Sequence, residues 1–286
     1  MLLSIKDWRN AWIKYDLPLD AIPEHPDLGL RYPWKEIAIR SMSSVHRYKV
    51  NIAKQRLTEA LSTGIDWRLG WSAGKDSTAL AVLGWSCGVG LASFGEKDDI
   101  DYPGEEAYLQ RMGKALGHGE VEILRPKVSL LAWLAEHKID LTADLHGQAA
   151  SLSSEHFYGL LKEHRKEKGY NGVILGLRSD ESKHRAVNRA SHGWMYKRKG
   201  DDLTVACPIA DWEDIDVHAF LASQNIPLLP VYFCVDPGMI ALKLRKSWWI
   251  AGGGCARHGH YTWLRRWWPD LYEKAAAIDS GIRLLS

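Results

Sequence analysis

The stretch Trp67 to Cys87, WRLGWSAGKDSTALAVLGWSC, decides the fold. From Trp67 to Trp71 large apolar residues alternate with others, which suits a short strand entering a core. Ser72-Ala73-Gly74-Lys75-Asp76-Ser77 is then small and polar, with one cation. Leu80, Leu83 and Cys87 recur beyond it at helical spacing, so the order is strand, small-residue loop, helix. A helix N-terminus presents unpaired N–H groups and partial positive charge. Ala73 and Gly74 let an anion come close, Lys75 adds a full charge, and Ser72, Ser77 and Thr78 add hydroxyl donors. That combination suits a phosphate or pyrophosphate. The plainer reading is a strand-to-helix turn with Asp76 or Ser77 as its N-cap. The stretch is not the usual P-loop: the four-residue spacer between glycines is missing, and Asp76 stands where Ser or Thr is needed.

Downstream, strand and helix signals alternate. Val89 to Phe94 reads as a strand, followed by an acidic, polar run from Gly95 to Asp101. Pro103 opens a helix through Leu116 with Tyr108, Met112 and Leu116 on one face. Val121 to Leu124 is a third strand and Val128 to His137 a helix. Ser153 or Ser154 caps a helix through Lys168, and Val173 to Leu175 is a fourth strand ending at Gly176. Such alternation predicts a parallel sheet with helical crossovers, whose ligands sit at the carboxyl ends of the strands. The Ser72 loop, the acidic run and the segment after Leu175 should therefore meet on one edge. Upstream, Trp8, Trp12 and Tyr15 repeat at helical spacing, Pro18 to Pro33 is proline-rich, and Trp34 to Leu61 offers one long helix. The division expected is a helical extension over 1–66, a nucleotide-binding α/β domain over 67–235 and a Trp-rich helical tail over 236–286.

At 286 residues the chain suits one α/β core with extensions. No apolar run is long enough to span a bilayer, and Met1 to Asp7 is charged too soon for a signal peptide, so no membrane association and a cytoplasmic location are expected. Cys87, Cys207, Cys234 and Cys255 are scattered, which argues against a disulfide framework, a zinc ribbon or an iron–sulfur cluster. The net charge is +2, but the span from Arg178 to Lys199 holds seven basic and two acidic residues, a local +5. Charge so concentrated suits a compact polyanionic ligand rather than a general nucleic-acid coat.

Within that span, Arg178, Arg185 and Arg189 fall near whole helical turns of one another. Arginine forks pair bidentately with phosphate or sulfate oxygens. A solvated helix with Glu181 and Arg185 as an i, i+4 pair explains the spacing equally well. Cys207 to Asp216 reads as a strand end, a turn and a helix start, with Asp211 as N-cap and Asp214 as its N3 partner. Lys197-Arg198-Lys199 beside Trp194 and Tyr196 mixes cations and aromatics as nucleic-acid surfaces do. A β-hairpin from Trp194 to Val205, turning at Gly200-Asp201-Asp202, accounts for the same residues.

Taken in order, these segments resemble the PP-loop, or N-type ATP pyrophosphatase, family that contains phosphoadenosine phosphosulfate reductases and the small subunit of bacterial sulfate adenylyltransferase. Ser72 to Ser77 is similar to its S-G-G-K-D-S loop, with Ala73 for the first glycine. Gly176-Leu177-Arg178 with Asp180, Glu181, Lys183, Arg185 and Arg189 resembles G-x-R-x-D-E-x-K-x-R-x-x-x-R. Pro208 through Tyr232 is similar to P-L-x-x-W-x-x-x-D-I running on to I-P-x-x-P-L-Y, with Trp212, Asp216, Pro227, Pro230 and Tyr232 in register. The resemblance spans about Trp67 to Phe233. It implies a Rossmann-like (adenine nucleotide alpha hydrolase-like) α/β fold, ATP with Mg²⁺, and cleavage between the α- and β-phosphates. By that reading Lys75 and the loop N–H groups of Ser72 to Ser77 hold pyrophosphate, with Thr78 adding a hydrogen bond. Arg178, Arg185 and Arg189 clamp an anionic acceptor or the phosphates, and Asp76 or Asp101 helps hold the metal.

The ends depart from the family. The tail holds Gly252-Gly253-Gly254-Cys255-Ala256-Arg257-His258, where the reductases carry a catalytic E-C-G-I/L-H. Cys255 and His258 keep the spacing, but Gly254 replaces the glutamate. Three functions are therefore expected in order. The first is adenylyl transfer to a sulfate-like anion, with a GTPase or other protein partner, or a second copy, as company. The second is thiol-dependent reduction of a sulfonucleotide through Cys255, which needs a reductant protein. The third is a nucleotide- or nucleic-acid-binding module without turnover.

Overall fold

The structure is a computed structural model that describes residues 1–138, 141, 148–200, 202–246 and 260–284, with the backbone alone at 148–157. Six strands form one sheet among the described residues: β1 (Trp67–Gly70), β2 (Ser93–Glu96), β3 (Glu122–Leu124), β4 (Gly172–Ile174), β5 (Met195–Lys197) and β6 (Thr204–Ala206). Their order is β3-β2-β1-β4-β6-β5, with every neighbour pair parallel except β5 and β6. The helices are α1 (Ile5–Lys14), α2 (Trp34–Met42), α3 (Ser44–Leu61), α4 (Lys75–Ser86), α5 (Glu105–Ala115), α6 (Leu130–Glu136), α7 (Gln148–Lys168), α8 (Lys183–His192), α9 (Asp214–Ser223), α10 (His260–Trp267) and α11 (Pro269–Ile278). This is the parallel sheet with helical crossovers that the strand–helix alternation predicts, and the Rossmann-like α/β fold that the resemblance implies.

The chain builds β1, β2 and β3 outward in one direction, then returns to place β4 on the other flank of β1. Leu69 pairs with Ser93 on one side and Ile174 on the other. The order of strands thus reverses between β1 and β4, the switch point at whose carboxyl ends open α/β sheets bind ligands. Gly176 makes the approach close. A Cβ there would stand 2.7 Å from the Asp76 carbonyl carbon, so only glycine lets the start of α4 rest against the end of β4.

The long helix read over Trp34 to Leu61 is broken at Ser43, whose extended backbone (φ −72°, ψ 148°) ends α2 while its Oγ accepts the His46 N–H and caps α3. The helix assigned to Pro103 begins at Glu105, because Gly104 adopts a left-handed φ of 76° that a helix cannot continue through. α7 begins at Gln148, upstream of the serines read as its caps; Gln148, Ala149 and Ala150 are helix formers and extend it. The hairpin reading of Trp194 to Val205 matches β5 and β6, closed by Arg198 N–H to the Leu203 carbonyl at 2.8 Å.

The N-terminal extension shares the core. Trp8 and Trp12 have no exposed surface, and the Trp8 indole N–H donates to the Leu228 carbonyl at 2.8 Å. Trp8 packs on Phe233 with ring centroids 4.8 Å apart. Burying indoles of this size stabilises the junction as hydrophobic core does, with the polar N–H satisfied. No described helix is long and apolar enough to cross a membrane.

Candidate functional site

α4 starts at Lys75 with Gly74 as its N-cap, not at Asp76 or Ser77. Ser77 is not free to cap, because its Oγ donates to the Gly74 carbonyl at 3.1 Å and accepts the Ser72 N–H at 3.2 Å. Ala73 sits at φ 56°, the left-handed region where a glycine is at ease and an alanine is strained. That conformation is the physical reason for a glycine at this position in S-G-G-K-D-S. The Lys75 N–H at the head of α4 donates to the Tyr232 hydroxyl at 2.8 Å, so one of the orphan donors already has a partner.

The side chain of Lys75 is turned inward and is 1% exposed. Its Nζ lies 3.1 Å from Asp76 Oδ2 and 3.3 Å from Asp214 Oδ1. Arg178, fully buried, bridges the same two carboxylates: Nε to Asp76 Oδ1 at 2.6 Å and Nη2 to Asp214 Oδ1 at 2.5 Å. Its Nη1 donates to the Trp212 carbonyl at 3.3 Å. Burial alone raises the Asp214 carboxyl, but the charges of Lys75 and Arg178 outweigh it and hold that group well below the usual carboxylate range. Thus the loop after β1, the loop after β4 and the head of α9 are tied by one buried set of two cations and two carboxylates. Thr78, read as a phosphate donor, faces the core instead and accepts the Trp71 indole N–H at 3.1 Å.

Arg185 and Arg189 lie on α8, partly exposed. Arg185 pairs with Glu181, the i, i+4 contact that its spacing also allowed, and Arg189 pairs with Asp211 at 3.1 Å. Burial first, and then the neighbouring Arg245, lowers the Arg185 guanidinium from its ordinary value. A shallow, half-open cavity brings Arg178, Arg185, Arg189, Asn188, Tyr196 and Cys207 together. Lys75 does not line it; Asp76 and Asp214 link it to Arg178, whereas Arg185 and Arg189 pair with other carboxylates. Ser179 Oγ and Asn188 Oδ1 are buried atoms without a protein partner, and both residues line the same cavity. Burial pushes the Cys207 thiol up to about 12, so the cavity carries no thiolate at neutral pH.

Asp211 does not cap α9, because Arg56 and Arg189 hold its carboxylate. Glu213 is the N-cap, with Asp216 as its reciprocal N3 partner. Asp76 and Asp101, read as metal ligands, are each engaged by cations and are not brought together on one centre. Asp76 is held by Lys75 and Arg178. Asp101 accepts the Asp98 N–H at 2.8 Å and lies 3.2 Å from Lys246 Nζ. Among the described residues no group of three His, Cys, Asp or Glu side chains is placed to hold a metal ion. Beside Asp101, burial raises the Glu96 carboxyl to about 8. Cys255 lies outside the described residues.

Three residues of the site carried no role in the sequence reading. Asp214 passed as a helix-cap partner, although a buried arginine and lysine on neighbouring loops require a counter-charge. Tyr232 was a motif position without a function. Lys243 lies beyond the segment of resemblance, and its Nζ reaches Asp214 Oδ2 at 2.9 Å.

Residues 68–235 match the family described as Phosphoadenosine phosphosulfate reductase domain. Sulfate adenylyltransferase subunit 2 of Xanthomonas oryzae pv. oryzae (strain PXO99A) is 27% identical over 130 residues, 39% of this chain and 42% of that protein. The same-named protein of Burkholderia lata is 31% identical over 111 residues, 32% of this chain and 37% of the relative. The chain thus spans about two fifths of the length of these relatives. Among solved structures, phosphoadenylyl-sulfate (PAPS) reductase from Candida auris, a phosphate complex, aligns with a TM-score of 0.49 at 14% identity, over 62% of this chain and 81% of that one.

Proposed function

The chain belongs to the Phosphoadenosine phosphosulfate reductase domain family, and from that premise we propose that it is a nucleotide-binding enzyme that cleaves ATP between the α- and β-phosphates and passes the adenylyl group to a small anionic acceptor. One observation carries this reading. The head of α4 and the arginine-lined cavity are tied by two carboxylates, Asp76 and Asp214, each of which touches Lys75 on one side and Arg178 on the other. Phosphate-binding backbone and oxyanion-binding guanidinium groups are therefore adjacent.

The substrate is ATP with its Mg²⁺, and the protein's part is to position and to neutralise charge. The N–H groups at the head of α4 and the Ser72 hydroxyl face the leaving pyrophosphate. Arg189 exchanges Asp211, a partner that reaches solvent, for the acceptor's oxygens, while the partly exposed Arg185 keeps its largely buried Glu181 partner and offers its remaining N–H groups to the same anion. An acceptor oxygen forms the new bond to the α-phosphorus, the bond to the bridging oxygen breaks, and its electron pair leaves on pyrophosphate. An acceptor that is already anionic brings no proton to remove, so the step needs no general base. Sulfate is the first acceptor to try, from the name of the sulfate adenylyltransferase relatives, and "subunit 2" in that name makes a protein partner part of the proposal.

The test is pyrophosphate release from Mg²⁺–ATP with sulfate and a panel of small oxyanions, with and without reductant. Acceptor-dependent release that is indifferent to reductant supports adenylyl transfer. Nucleotide binding with no release under any acceptor refutes it, and reductant-dependent turnover of a sulfonucleotide, lost on alkylating Cys255, replaces it with reduction.

A further inference from the structure

The helices α2 and α3 lie outside the family domain, yet their cations converge on the helix that holds the site. Asp216, on the first turn of α9, has no exposed side-chain surface. Its carboxylate receives Arg40 Nε at 2.6 Å, Lys49 Nζ at 2.7 Å and His46 Nδ1 at 3.3 Å, all three from the extension. It also accepts the Glu213 N–H at 2.9 Å, which closes the capping box. Two residues earlier on the same turn, Asp214 faces the other way and holds Lys75, Arg178 and Lys243. One turn further on, His218 Nδ1 pairs with the Tyr32 hydroxyl at 2.5 Å, a second grip from the extension on α9.

We propose that Arg40 and Lys49 are positioning residues for the nucleotide site, acting through Asp216 and the first turn of α9 to hold Asp214 against Lys75. The inference rests on the reading of the Lys75–Arg178 loops as the nucleotide site. The physical argument concerns stiffness. A helix start is the part of a helix most prone to fray, since its first N–H groups lack intrahelical partners. Here that frayable turn carries the carboxylate that orients Lys75. A shift of an ångström at Asp214 would break contacts of 2.5 and 3.3 Å. Two salt bridges and a capping box on Asp216 suppress such a shift. The side chains of Arg40 and Lys49 reach the site through the first turn of α9; the Lys49 carbonyl, which accepts the Trp212 indole N–H at 3.3 Å, is left in place by the substitutions used below. The chain thus uses an element beyond the common domain to fix geometry that the domain's own loops leave to one turn of helix.

The test uses the full chain and two readouts. Lys49→Met and Arg40→Gln are made singly and in an Asp214→Asn background, which cuts the proposed link. Amide hydrogen exchange at Gly74 to Thr78, which needs no nucleotide, should quicken about 5- to 10-fold in each single variant, with α5 unchanged. The dissociation constant of a non-hydrolysable ATP analogue should rise by a similar factor, and Arg40→Lys should restore most of it. In Asp214→Asn the same substitutions should add nothing further. Equal increments in both backgrounds would mean general destabilisation and overturn the proposal, as would unchanged exchange at the loop. A protein that shows the exchange pattern but never binds the analogue keeps the mechanical link and loses the nucleotide reading, so the two failures are told apart.

Discussion

Replacing Arg178 by Met separates a brace from a ligand clamp. The guanidinium is fully buried and makes four contacts: Asp76 at 2.6 Å, Asp214 at 2.5 Å, the Trp212 carbonyl at 3.3 Å and, more loosely, Asp180 at 3.5 Å. Removing one partner of a buried ion pair costs about 3–5 kcal/mol, because the other charge is left uncompensated. Two features place this site at the low end. The Asp76 side chain is 19% exposed and regains water, and Asp214 keeps Lys75 at 3.3 Å and Lys243 at 2.9 Å. We expect a loss of about 3 kcal/mol in urea unfolding at pH 7, with an unchanged denaturant slope. Adding Asp76→Asn removes one stranded charge and should recover about 1 kcal/mol of that. A clamp that waits for ligand would behave differently: stability without nucleotide would stay at the wild-type value while affinity fell. That outcome would refute the reasoning.

Other expectations follow from the same geometry. Ala73→Gly relieves a left-handed alanine at the loss of one buried methyl, so stability should change by less than about 1 kcal/mol and nucleotide affinity should hold; a loss of several kcal/mol in thermal unfolding would contradict the strain. Burial, with the charge of Lys75, pushes the His218 imidazole down to about 3. The unfolded chain therefore takes up the proton first, and stability should be complete above about pH 6.5 and decline as pH falls toward 3. His218→Gln should flatten the slope between pH 4.5 and 6.5, and an unaltered slope would assign it to other groups. Arg185→Lys keeps charge but loses the fork, so it should weaken oxyanion binding about 10-fold, while Lys199→Ala on the hairpin should change it less than 2-fold; the reverse order in titration calorimetry would move the binding surface to the hairpin.

The sheet was legible because its signals are local. Trp67 to Trp71, the small loop and the apolar face after it state strand, turn and helix within one window, and Gly176 marks the end of β4. The break at Ser43 was not legible, since a serine inside an unbroken helical pattern is ordinary; it is imposed by where α2 and α3 must go to bring Arg40, His46 and Lys49 onto Asp216. The loop residues were read by type, as donors for phosphate, and type does not say which way a side chain turns. Lys75 and Thr78 turn inward because α4 is buried on nearly every side, a property of the assembled layers that no window of sequence contains. The missed partner, Asp214, is 139 residues from Lys75 in the chain. Its role becomes visible only when β1, β4 and α9 are brought to one edge.

The site cations divide by their freedom to change partners. Lys75 and Arg178 are 1% and 0% exposed, and the Asp214 they share, 9% exposed, cannot be replaced without opening the core. Arg185 and Arg189 are 35% and 28% exposed; the Glu181 partner of Arg185 is only 7% exposed, but the Asp211 partner of Arg189 is 46% exposed, which makes Arg189–Asp211 the pair open to exchange. An exposed ion pair contributes about 0–1 kcal/mol, so an incoming oxyanion displaces it at little cost. Displacing a buried pair strands a charge at several times that cost. Under the proposed function the outer arginines therefore do the recognising, and the inner pair fixes where they and the α4 head stand. Raising the salt concentration should then weaken acceptor binding steeply, since screening acts on exposed charges, while leaving the inner tie and the fold largely unaffected. Acceptor affinity that is flat from low to high salt would place recognition on the buried pair and reverse this division.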